Sequence, residues 1–337
     1  MKSIKICFII SGLLLATAVQ ASVEINEETF PDEAFRSLIA SQPEGKDGML
    51  TDEELAGLKQ LKVSDYDHKI QSFQGLEYLS ELEELFIDQV YNMKVLDLSN
   101  NPKLEYVQIQ LCGFMSLNLS GLSALKFLVC QGTLFQELDM STCTALQYLR
   151  SVCGLLTKVN LSNNNNLKEV DLWDNQLTTL DLSNNINLEK VDCSYNQLTS
   201  LVLPQSETLT EVKCFANHLS AEYMDILVAS LPTVSEGSFY PYIEVADVEE
   251  EGPKTEFNVC TTNQVETAKS KGWTVYGIYH ITSRYWEEYA GSSTTGINSP
   301  TRQSPSATIY SVSGMPLPPV SSHKGIVIRD GRKVIVK

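Results

Sequence analysis

The residues able to act as nucleophiles, bases or metal ligands are scattered along the chain. Its four histidines stand in no triad-like or metal-ligand motif; they are His68, His218, His280 and His323. The sequence has no glycine-rich phosphate loop and no G-x-S-x-G nucleophile motif. In a chain with 42 acidic residues, a pair of carboxylates is a weak indication of a glycosidase. We therefore predict no catalytic residue, no cofactor and no enzymatic activity.

One segment, residues 43–54, resembles an EF-hand calcium loop. The matches to that pattern fall at Asp47, Gly48, Leu50 and Glu54. Its first and third positions are Pro43 and Gly45, which offer no side-chain oxygen to a cation. We interpret the segment as a structural relic of a calcium loop, and we predict no metal site in the chain.

Eight cysteines could form disulfides in an exported protein, but their positions favour thiols. Cys7 lies in an N-terminal apolar run that we expect to be removed, which leaves an odd number for pairing. Cys130, Cys193 and Cys214 fall on an inward-facing position of the repeat described next, where a thiol packs as an apolar group. A Cys130–Cys153 bridge between neighbouring repeats is the alternative. No C-x-x-C motif indicates zinc.

The organising feature of the chain is a 21-residue sequence repeated six times over residues 96–221. The copies begin at Leu96, Leu117, Leu138, Val159, Leu180 and Leu201. The fifth copy is LDLSNNINLEKVDCSYNQLTS, and its L-x-x-L-x-[LC]-x-x-N-x-L pattern is that of the leucine-rich repeat. Inward residues at positions 12 and 14, with polar neighbours, predict one short strand per copy. The predicted fold class is therefore α/β: a leucine-rich repeat solenoid with a parallel β-sheet.

Position 17 of the copies separates the array into two halves. It is Asn175, Asn196 and Asn217 in the last three copies and Cys112, Thr133 and Gly154 in the first three. A stacked asparagine at this bend satisfies backbone groups that the turning chain would otherwise leave buried and unpaired. We expect a weaker asparagine ladder in the first half.

The strongest candidates for ligand binding lie on the predicted sheet face. In leucine-rich repeat proteins, positions 11, 13 and 15 point into solvent on the concave side. Position 11 carries Tyr106, Phe127 and Tyr148 in the first three copies, and neighbouring strands lie about 4.8 Å apart. Arg150 at position 13 and Trp173 at position 15 complete the predicted site. Such aromatic residues either mark a contact surface or simply stabilise the sheet by cross-strand pairing.

The segments on both sides of the array predict the remaining organisation. We expect a signal peptide at 1–21, a helical N-terminal cap with an irregular first repeat at 22–95, and a small α/β C-terminal cap at 222–283. A linker at 284–306 and a β-hairpin tail at 307–337 follow. The net charge of −17 makes nucleic acid an unfavourable partner, and the N-terminal apolar run is too short to predict a stable membrane span.

Two family resemblances bear on localisation and function. The tail, with IYSVSG from Ile309, KGI from Lys324 and GRKV from Gly331, looks like the C-terminal sorting tails of Bacteroidota proteins secreted by the type IX route. An extra β-hairpin without a sorting role is the alternative for this tail. Residues 24–283 resemble the internalin-like leucine-rich repeat proteins of bacterial surfaces. These resemblances imply an exported protein, at the outer-membrane surface or outside the cell, that takes part in adhesion or protein interaction.

The sequence therefore predicts a non-catalytic binding protein that uses the concave face of its repeats. A protein or peptide is the expected ligand. A surface glycan is the alternative, because sugar faces also stack on aromatic rings.

Overall fold

The computed structural model describes residues 22–246, 257–280 and 285–292, together with four short strands between residues 309 and 336. The predicted signal peptide lies outside the described residues. Among the residues that are described, no helix has the length and apolar character needed to cross a membrane.

The N-terminal cap consists of two short helices and a small antiparallel sheet. Its elements are β1 (Ser22–Glu24), α1 (Glu33–Ser41), β2 (Met49–Thr51) and α2 (Asp52–Gly57), with β1 paired to β2. The Asp32 carboxylate caps α1 by accepting the backbone N–H of Phe35, and Thr51 with Glu54 forms a capping box on α2. Phe30, Phe35 and Ile39 are fully buried, so this cap closes the end of the repeat core.

Each repeat contributes one strand to a long parallel sheet and most contribute a second short strand on the opposite side. The strands are β3 (Gln60–Ser64), β4 (Glu84–Asp88), β5 (Val95–Asp97), β6 (Tyr106–Gln110), β7 (Ser116–Asn118), β8 (Phe127–Gln131), β9 (Glu137–Asp139), β10 (Tyr148–Val152), β11 (Lys158–Asn160), β12 (Glu169–Asp171), β13 (Thr179–Asp181), β14 (Lys190–Asp192), β15 (Ser200–Val202) and β16 (Glu211–Lys213). The long sheet runs in the order β3-β4-β6-β8-β10-β12-β14-β16, and equivalent repeat positions are in register. This architecture confirms the predicted leucine-rich repeat solenoid.

The core is continuous because the same repeat positions are buried in every copy. The position-9 leucines are fully buried; they are Leu104, Leu125, Leu146, Leu167, Leu188 and Leu209. Position 16 bends each repeat, with a left-handed backbone from Leu111 (φ 49°) in the first copy to Ala216 (φ 53°) in the sixth. This bend turns position 17 inward, where Asn196 donates to the carbonyls of Leu172 (2.9 Å) and Cys193 (3.2 Å) and accepts the N–H of Leu177 (3.0 Å).

A second set of ladder asparagines, which was not predicted from the sequence, occupies position 6 in three of the six copies. Asn101, Asn164 and Asn185 are buried, and their amide groups donate to backbone carbonyls of the preceding turn. For example, Asn185 donates to the carbonyls of Leu161 (3.0 Å) and Asn164 (2.9 Å). The recurrence of asparagine at a 21-residue spacing in the sequence could have predicted these buried residues. Both ladders keep carbonyl groups paired where the chain turns inside the core.

The C-terminal cap continues the long sheet beyond the last repeat. It contains α3 (Ala221–Ser230), β17 (Gly237–Tyr240), β18 (Glu244–Ala246), α4 (Thr262–Ser270), β19 (Trp273–His280) and β20 (Tyr285–Glu288). Strand β17 pairs with β16 in parallel, and β19 pairs with β17. Asn258 extends the position-17 ladder by donating to the Cys214 carbonyl (2.7 Å) and accepting the N–H of Leu219 (2.8 Å).

Strand β20 lies within the segment for which the sequence predicted a linker. It pairs antiparallel with β19, and the Trp286 ring lies 5.1 Å from the Phe215 ring of the last repeat. The apolar pair Tyr285-Trp286 distinguishes this strand from the Gly- and Ser-rich residues that follow it. An ordered strand therefore occupies the first residues of the predicted linker.

The described part of the tail forms a four-stranded antiparallel sheet. Its strands are β21 (Ile309–Ser311), β22 (Pro316–Leu317), β23 (Gly325–Arg329) and β24 (Arg332–Val336), in the order β22-β21-β23-β24. Strands β23 and β24 pair as the two arms of a hairpin, whose predicted Asp330-Gly331 turn lies outside the described residues. The sheet thus contains two strands more than the hairpin that we predicted.

Candidate binding surface

The three aromatic residues at position 11 form a row across β6, β8 and β10. The Tyr106 and Phe127 ring centroids lie 6.0 Å apart, and those of Phe127 and Tyr148 lie 6.3 Å apart. Phe127 is 38% exposed, and the two tyrosines are half-buried. Partial burial raises the pKa of Tyr106, whose hydroxyl donates to the Gln108 side chain over 2.9 Å. The rings therefore present partly exposed faces at the spacing of the repeats.

A fourth ring, which was not predicted from the sequence, extends the row towards the N-terminal cap. The Phe86 centroid lies 5.2 Å from that of Tyr106, and the Lys62 ammonium group lies 5.3 Å from the Phe86 ring. Phe86 is in register with Gln108, so it stands at position 13 of an irregular repeat that is one residue longer than the others. We call Phe86, Tyr106, Phe127 and Tyr148 the aromatic row. Because this repeat is one residue longer, a strict 21-residue alignment does not assign Phe86 to an exposed position.

The predicted cation of the site, Arg150, is paired. Its guanidinium group forms a salt bridge with the Asp171 carboxylate on the neighbouring strand β12. The two residues occupy position 13 of successive copies, so their 21-residue spacing could have predicted this salt bridge from the sequence. Arg150 thus borders the aromatic row as part of an ion pair.

Trp173 belongs to a different aromatic cluster from the one in which the sequence placed it. Its ring meets the Tyr195 ring edge-on at 5.9 Å, and Tyr195 in turn contacts Phe215 at 5.4 Å. The cluster continues through Trp286 to Tyr240, whose rings lie 5.1 Å apart. Among the described residues, none of the ring contacts of Trp173 is with the aromatic row. The reason is that position 15 lies at the carboxyl end of the strand and position 11 at its start.

Position 15 was predicted to face solvent, but it is buried in three copies. Val152, Ser194 and Phe215 are at most 6% exposed. The rings of Tyr195 and Trp286 pack against Phe215, and the Ser194 hydroxyl donates to the Asp192 carboxylate. In those copies, positions 11 and 13 of the strand face solvent and position 15 does not.

Charge divides the exposed face into two halves. Among positions 11, 13, 15, 16 and 18 of the first three copies, Arg150 is the single charged residue. The same positions of the last three copies carry seven charged residues: Glu169, Asp171, Asp174, Lys190, Asp192, Glu211 and Lys213. Since the whole chain is strongly acidic, the near-absence of charge in the first half is a local property of the aromatic surface.

The charged half contains one carboxylate in an unfavourable environment. Burial raises the pKa of Asp192, although its side chain accepts hydrogen bonds from the hydroxyl and the N–H of Ser194. The neighbouring Asp171 charge raises the pKa further, and Lys213 opposes this effect. This half of the face therefore retains acidic groups beside the Trp173 cluster.

The calcium-like loop uses its acidic side chains for local backbone bonds. Glu54 accepts the backbone N–H and the hydroxyl of Thr51, each over 2.8 Å, and Asp47 accepts the N–H of Met49 over 3.0 Å. Within the described residues, no group of three or more His, Cys, Asp or Glu side chains is placed to bind a metal ion. Glu54 thus functions as a helix cap in this structure.

The structure has thiols at the predicted inward positions. Cys130 and Cys193 are fully buried, and burial raises the pKa of both well above the ordinary value. Burial also raises the pKa of Cys112 and Cys143 to about 11. Cys153 is exposed, unlike Cys130, so the alternative Cys130–Cys153 bridge does not form. Cys130 lies at position 14 within strand β8, whereas Cys153 lies at the left-handed bend that follows β10.

Comparison with known proteins relates these features to the repeat architecture. A family model described as the "Endo-beta-N-acetylglucosaminidase EndoS LRR domain" matches residues 30–153, in agreement with the leucine-rich repeat fold described above. A search of curated proteins gave no match.

Several solved structures are similar to this chain at low sequence identity. The functional domain of InlJ from Listeria monocytogenes is 22% identical, with coverage of 68% of this chain and 59% of that chain and a TM-score of 0.38. Internalin C2 from Listeria monocytogenes is 20% identical, covering 66% and 98%, with a TM-score of 0.48. The leucine-rich repeat domain of APL1B is 21% identical, covering 57% and 59%, with a TM-score of 0.45. This chain thus spans 59% of the InlJ domain.

Proposed function

We propose that this chain is an exported, internalin-like leucine-rich repeat protein that binds a protein or peptide ligand through the concave face of its first repeats. The observation that carries the proposal is the aromatic row, three of whose four rings stand on β6, β8 and β10, where Arg150 is the single charged residue among the exposed positions of these repeats. The N-terminal sequence and the tail support export to the outer-membrane surface or the exterior. Adhesion is the corresponding biological role.

The charge distribution favours a contact surface over simple sheet stabilisation. Cross-strand pairing of aromatic residues requires only that the rings at position 11 touch one another. It places no demand on the neighbouring positions 13, 15, 16 and 18, which are also almost free of charge in these copies. Depletion of charge around exposed aromatic side chains is typical of the buried centre of a protein interface. The surroundings of the row therefore support binding.

We further propose that the protein is non-catalytic and that nucleic acid is not its ligand. A binding role needs no catalytic group, and two histidines support this proposal by packing on aromatic rings: His68 meets Tyr91 edge-on, and His218 stacks on Phe257. A net charge of −17 repels phosphate backbones.

Substitution of Tyr106, Phe127 and Tyr148 by serine tests the proposed binding surface. We expect retention of peptides from a phage-displayed random library to fall by about an order of magnitude or more, because interface energy concentrates in aromatic residues. A matched control replaces the exposed Tyr66 and Tyr223 by serine and should retain the same peptides. Far-UV circular dichroism checks that all variants fold. Equal retention by the row variant and the wild type would refute the proposal.

A surface glycan is the second candidate ligand, and the Trp173 cluster favours it. Aromatic rings beside carboxylates, such as Trp173 near Asp171, suit a sugar that stacks its face and donates hydroxyl hydrogen bonds. A glycan array probed with the wild type and a Trp173→Ala variant tests this function. Binding that disappears in the variant supports it, whereas an array without signal excludes it for the sugars present.

A further inference from the structure

The surface beside the aromatic row has a second, aliphatic border. Leu111 at position 16 and Leu134 and Leu155 at position 18 are 48%, 37% and 39% exposed. They follow the carboxyl ends of β6, β8 and β10, whereas the rings of Tyr106, Phe127 and Tyr148 stand at the beginnings of the same strands. Leu111 lies directly over Gly132 of the next repeat, where an added Cβ would stand 2.9 Å from its Cδ2 atom. Glycine at this position leaves space for the leucine.

Glutamine side chains lie between the ring border and the leucine border. Gln108, Gln110 and Gln131 are half-buried on β6 and β8. In the part of the chain that the structure describes, the carboxamides of Gln110 and Gln131 have no hydrogen-bond partner, whereas Gln108 accepts the Tyr106 hydroxyl. A carboxamide carries both donors and an acceptor, which is the combination that a peptide backbone requires. The strip between the borders is therefore polar but uncharged.

We propose that the surface binds an extended, uncharged peptide segment that crosses the repeats between the aromatic row and the three leucines. This inference rests on the proposed function and specifies its ligand. Side chains on one face of an extended peptide recur about every 6.8 Å, which is close to the 6.0 and 6.3 Å between the rings of the row. Alternate side chains pack against rings and leucines, and Gln110 and Gln131 bond the main chain.

Charge complementarity selects an uncharged ligand. A charged ligand side chain buried over β6, β8 and β10 loses hydration, and Arg150, the charged residue at the exposed positions of these strands, is already paired with Asp171. Lys62 and Glu84 lie on β3 and β4, before these three repeats. The charged positions of the last three copies lie next to the strip and disfavour continuation of an apolar segment over β12 and β14. The segment therefore spans the first three repeats.

The test compares three variants of the full chain against a phage-displayed library of random peptides. The first variant is Gln110→Ala with Gln131→Ala, and the second replaces the three leucines by serine. The third is the serine variant of the aromatic row. Matched controls are Gln176→Ala with Gln197→Ala, and serine at the exposed Val95, Ile186 and Ile226. Circular dichroism and the melting temperature establish that each variant folds.

We expect the wild type to enrich, from the random library, peptides that are poor in Asp, Glu, Lys and Arg. The glutamine and leucine variants should each bind the enriched peptides about tenfold more weakly, and both controls should bind like the wild type. Methylation of the backbone nitrogens of one enriched peptide should weaken its binding to the wild type but not to the glutamine variant.

Other outcomes separate this inference from the proposed function. If retention requires the aromatic row but enriches charged peptides, or ignores the glutamines and leucines, the inference is wrong and the proposed function stands. If retention does not require the row, both are wrong. A wild-type dimer in sedimentation that the leucine substitutions dissociate would assign the leucines to a second copy of this chain and overturn the inference.

Discussion

At the scale of single residues, burial decides which chemical groups are reactive. The inward thiols have raised pKa values, to about 11 at Cys112 and Cys143 and to about 12 at Cys260, because burial disfavours the thiolate. The thiolate is the reactive species, so these groups are protected from modification near neutral pH. Among the cysteines that the structure describes, Cys153 at the turn is the exposed one.

The difference in exposure between Cys153 and the buried cysteines predicts how the folded protein reacts with a thiol reagent. We expect an aromatic disulfide reagent to modify one thiol per chain, Cys153, at mildly alkaline pH and to modify the others only after unfolding in guanidinium. A Cys153→Ser variant should show almost no rapid labelling. Rapid modification of two or more thiols in the native wild type would show that the inward positions are accessible.

The stability of the charged half should depend on the ionisation of Asp192. Its pKa in the folded state lies above the ordinary value of 3.8 because of burial, so the folded chain binds the proton more tightly than the unfolded chain. Stability contributed by this group is present at acidic pH and decreases as pH rises through the interval between the two pKa values. An Asp192→Asn variant should therefore melt at a higher temperature than the wild type at neutral pH.

The measurement is the melting temperature of the variant and the wild type across acidic and neutral pH. The difference should vanish where the carboxyl group is protonated in both states. Asp181→Asn is the matched control: this exposed carboxylate of the same repeat also accepts the N–H of a serine two residues later, and its replacement should not stabilise the protein. A lower melting temperature for Asp192→Asn at neutral pH would contradict the argument.

At the scale of the structural element, the asparagines at positions 6 and 17 connect the turns of the second half of the array to their neighbours. The position-17 ladder is complete from Asn175 through Asn217 and continues to Asn258 in the C-terminal cap. In the first half, the same position has Cys112, whose thiol donates to the Gln110 carbonyl over 3.0 Å, and then Thr133 and Gly154. The aromatic row thus lies on the repeats with the weaker position-17 ladder, as the sequence indicated.

Removal of one ladder asparagine should cost more than removal of the equivalent residue in the first half. Asn196→Ala leaves the Leu177 N–H without its partner, at about 1–3 kcal/mol for an unsatisfied buried group, and leaves the Leu172 carbonyl with only its hydrogen bond from Asn175. Thr133→Ala, at position 17 of the second copy, removes a smaller side chain and should cost less. Urea denaturation gives both free energies of unfolding. Equal losses would show that the ladder does not contribute to stability beyond packing.

At the scale of the whole molecule, the array is closed at both ends by caps that cover the last apolar surfaces. The C-terminal closure includes β20, because Trp286 packs on Phe215 of the last repeat and β20 pairs with the cap strand β19. The uncharged half of the exposed face lies towards the N-terminal cap and the charged half towards the C-terminal cap. A ligand that crosses the whole face would meet both chemical environments.

Two truncations test the role of β20 in closing the molecule. A fragment of residues 22–283 lacks Trp286 and should melt at a lower temperature than a fragment of residues 22–292, because Phe215 loses its cover. Truncation should also increase the binding of a dye that reports exposed apolar surface. Identical melting curves for the two fragments would show that β20 is dispensable for closure.

The sequence by itself determined the period, the inward positions and three of the four rings of the aromatic row, because neighbours in a solenoid are residues 21 apart and the pattern repeats six times. The capping boxes of α2 and α4 are also local features, since capping depends on residues within one helical turn. These properties are local or follow from the repeat spacing. They cover the fold and three of the five residues predicted for the site: Tyr106, Phe127 and Tyr148.

The tertiary structure decided what the repeat spacing does not specify. The cluster around Trp173 includes Trp286, which is 113 positions later in the sequence, and such a contact depends on the path of an irregular cap. Phe86 joined the row through a repeat of irregular length, and Phe215 at position 15 is buried against Trp286 of the C-terminal segment. The physical reason is that periodicity gives the neighbours of equivalent positions, whereas contacts with irregular segments depend on three-dimensional packing.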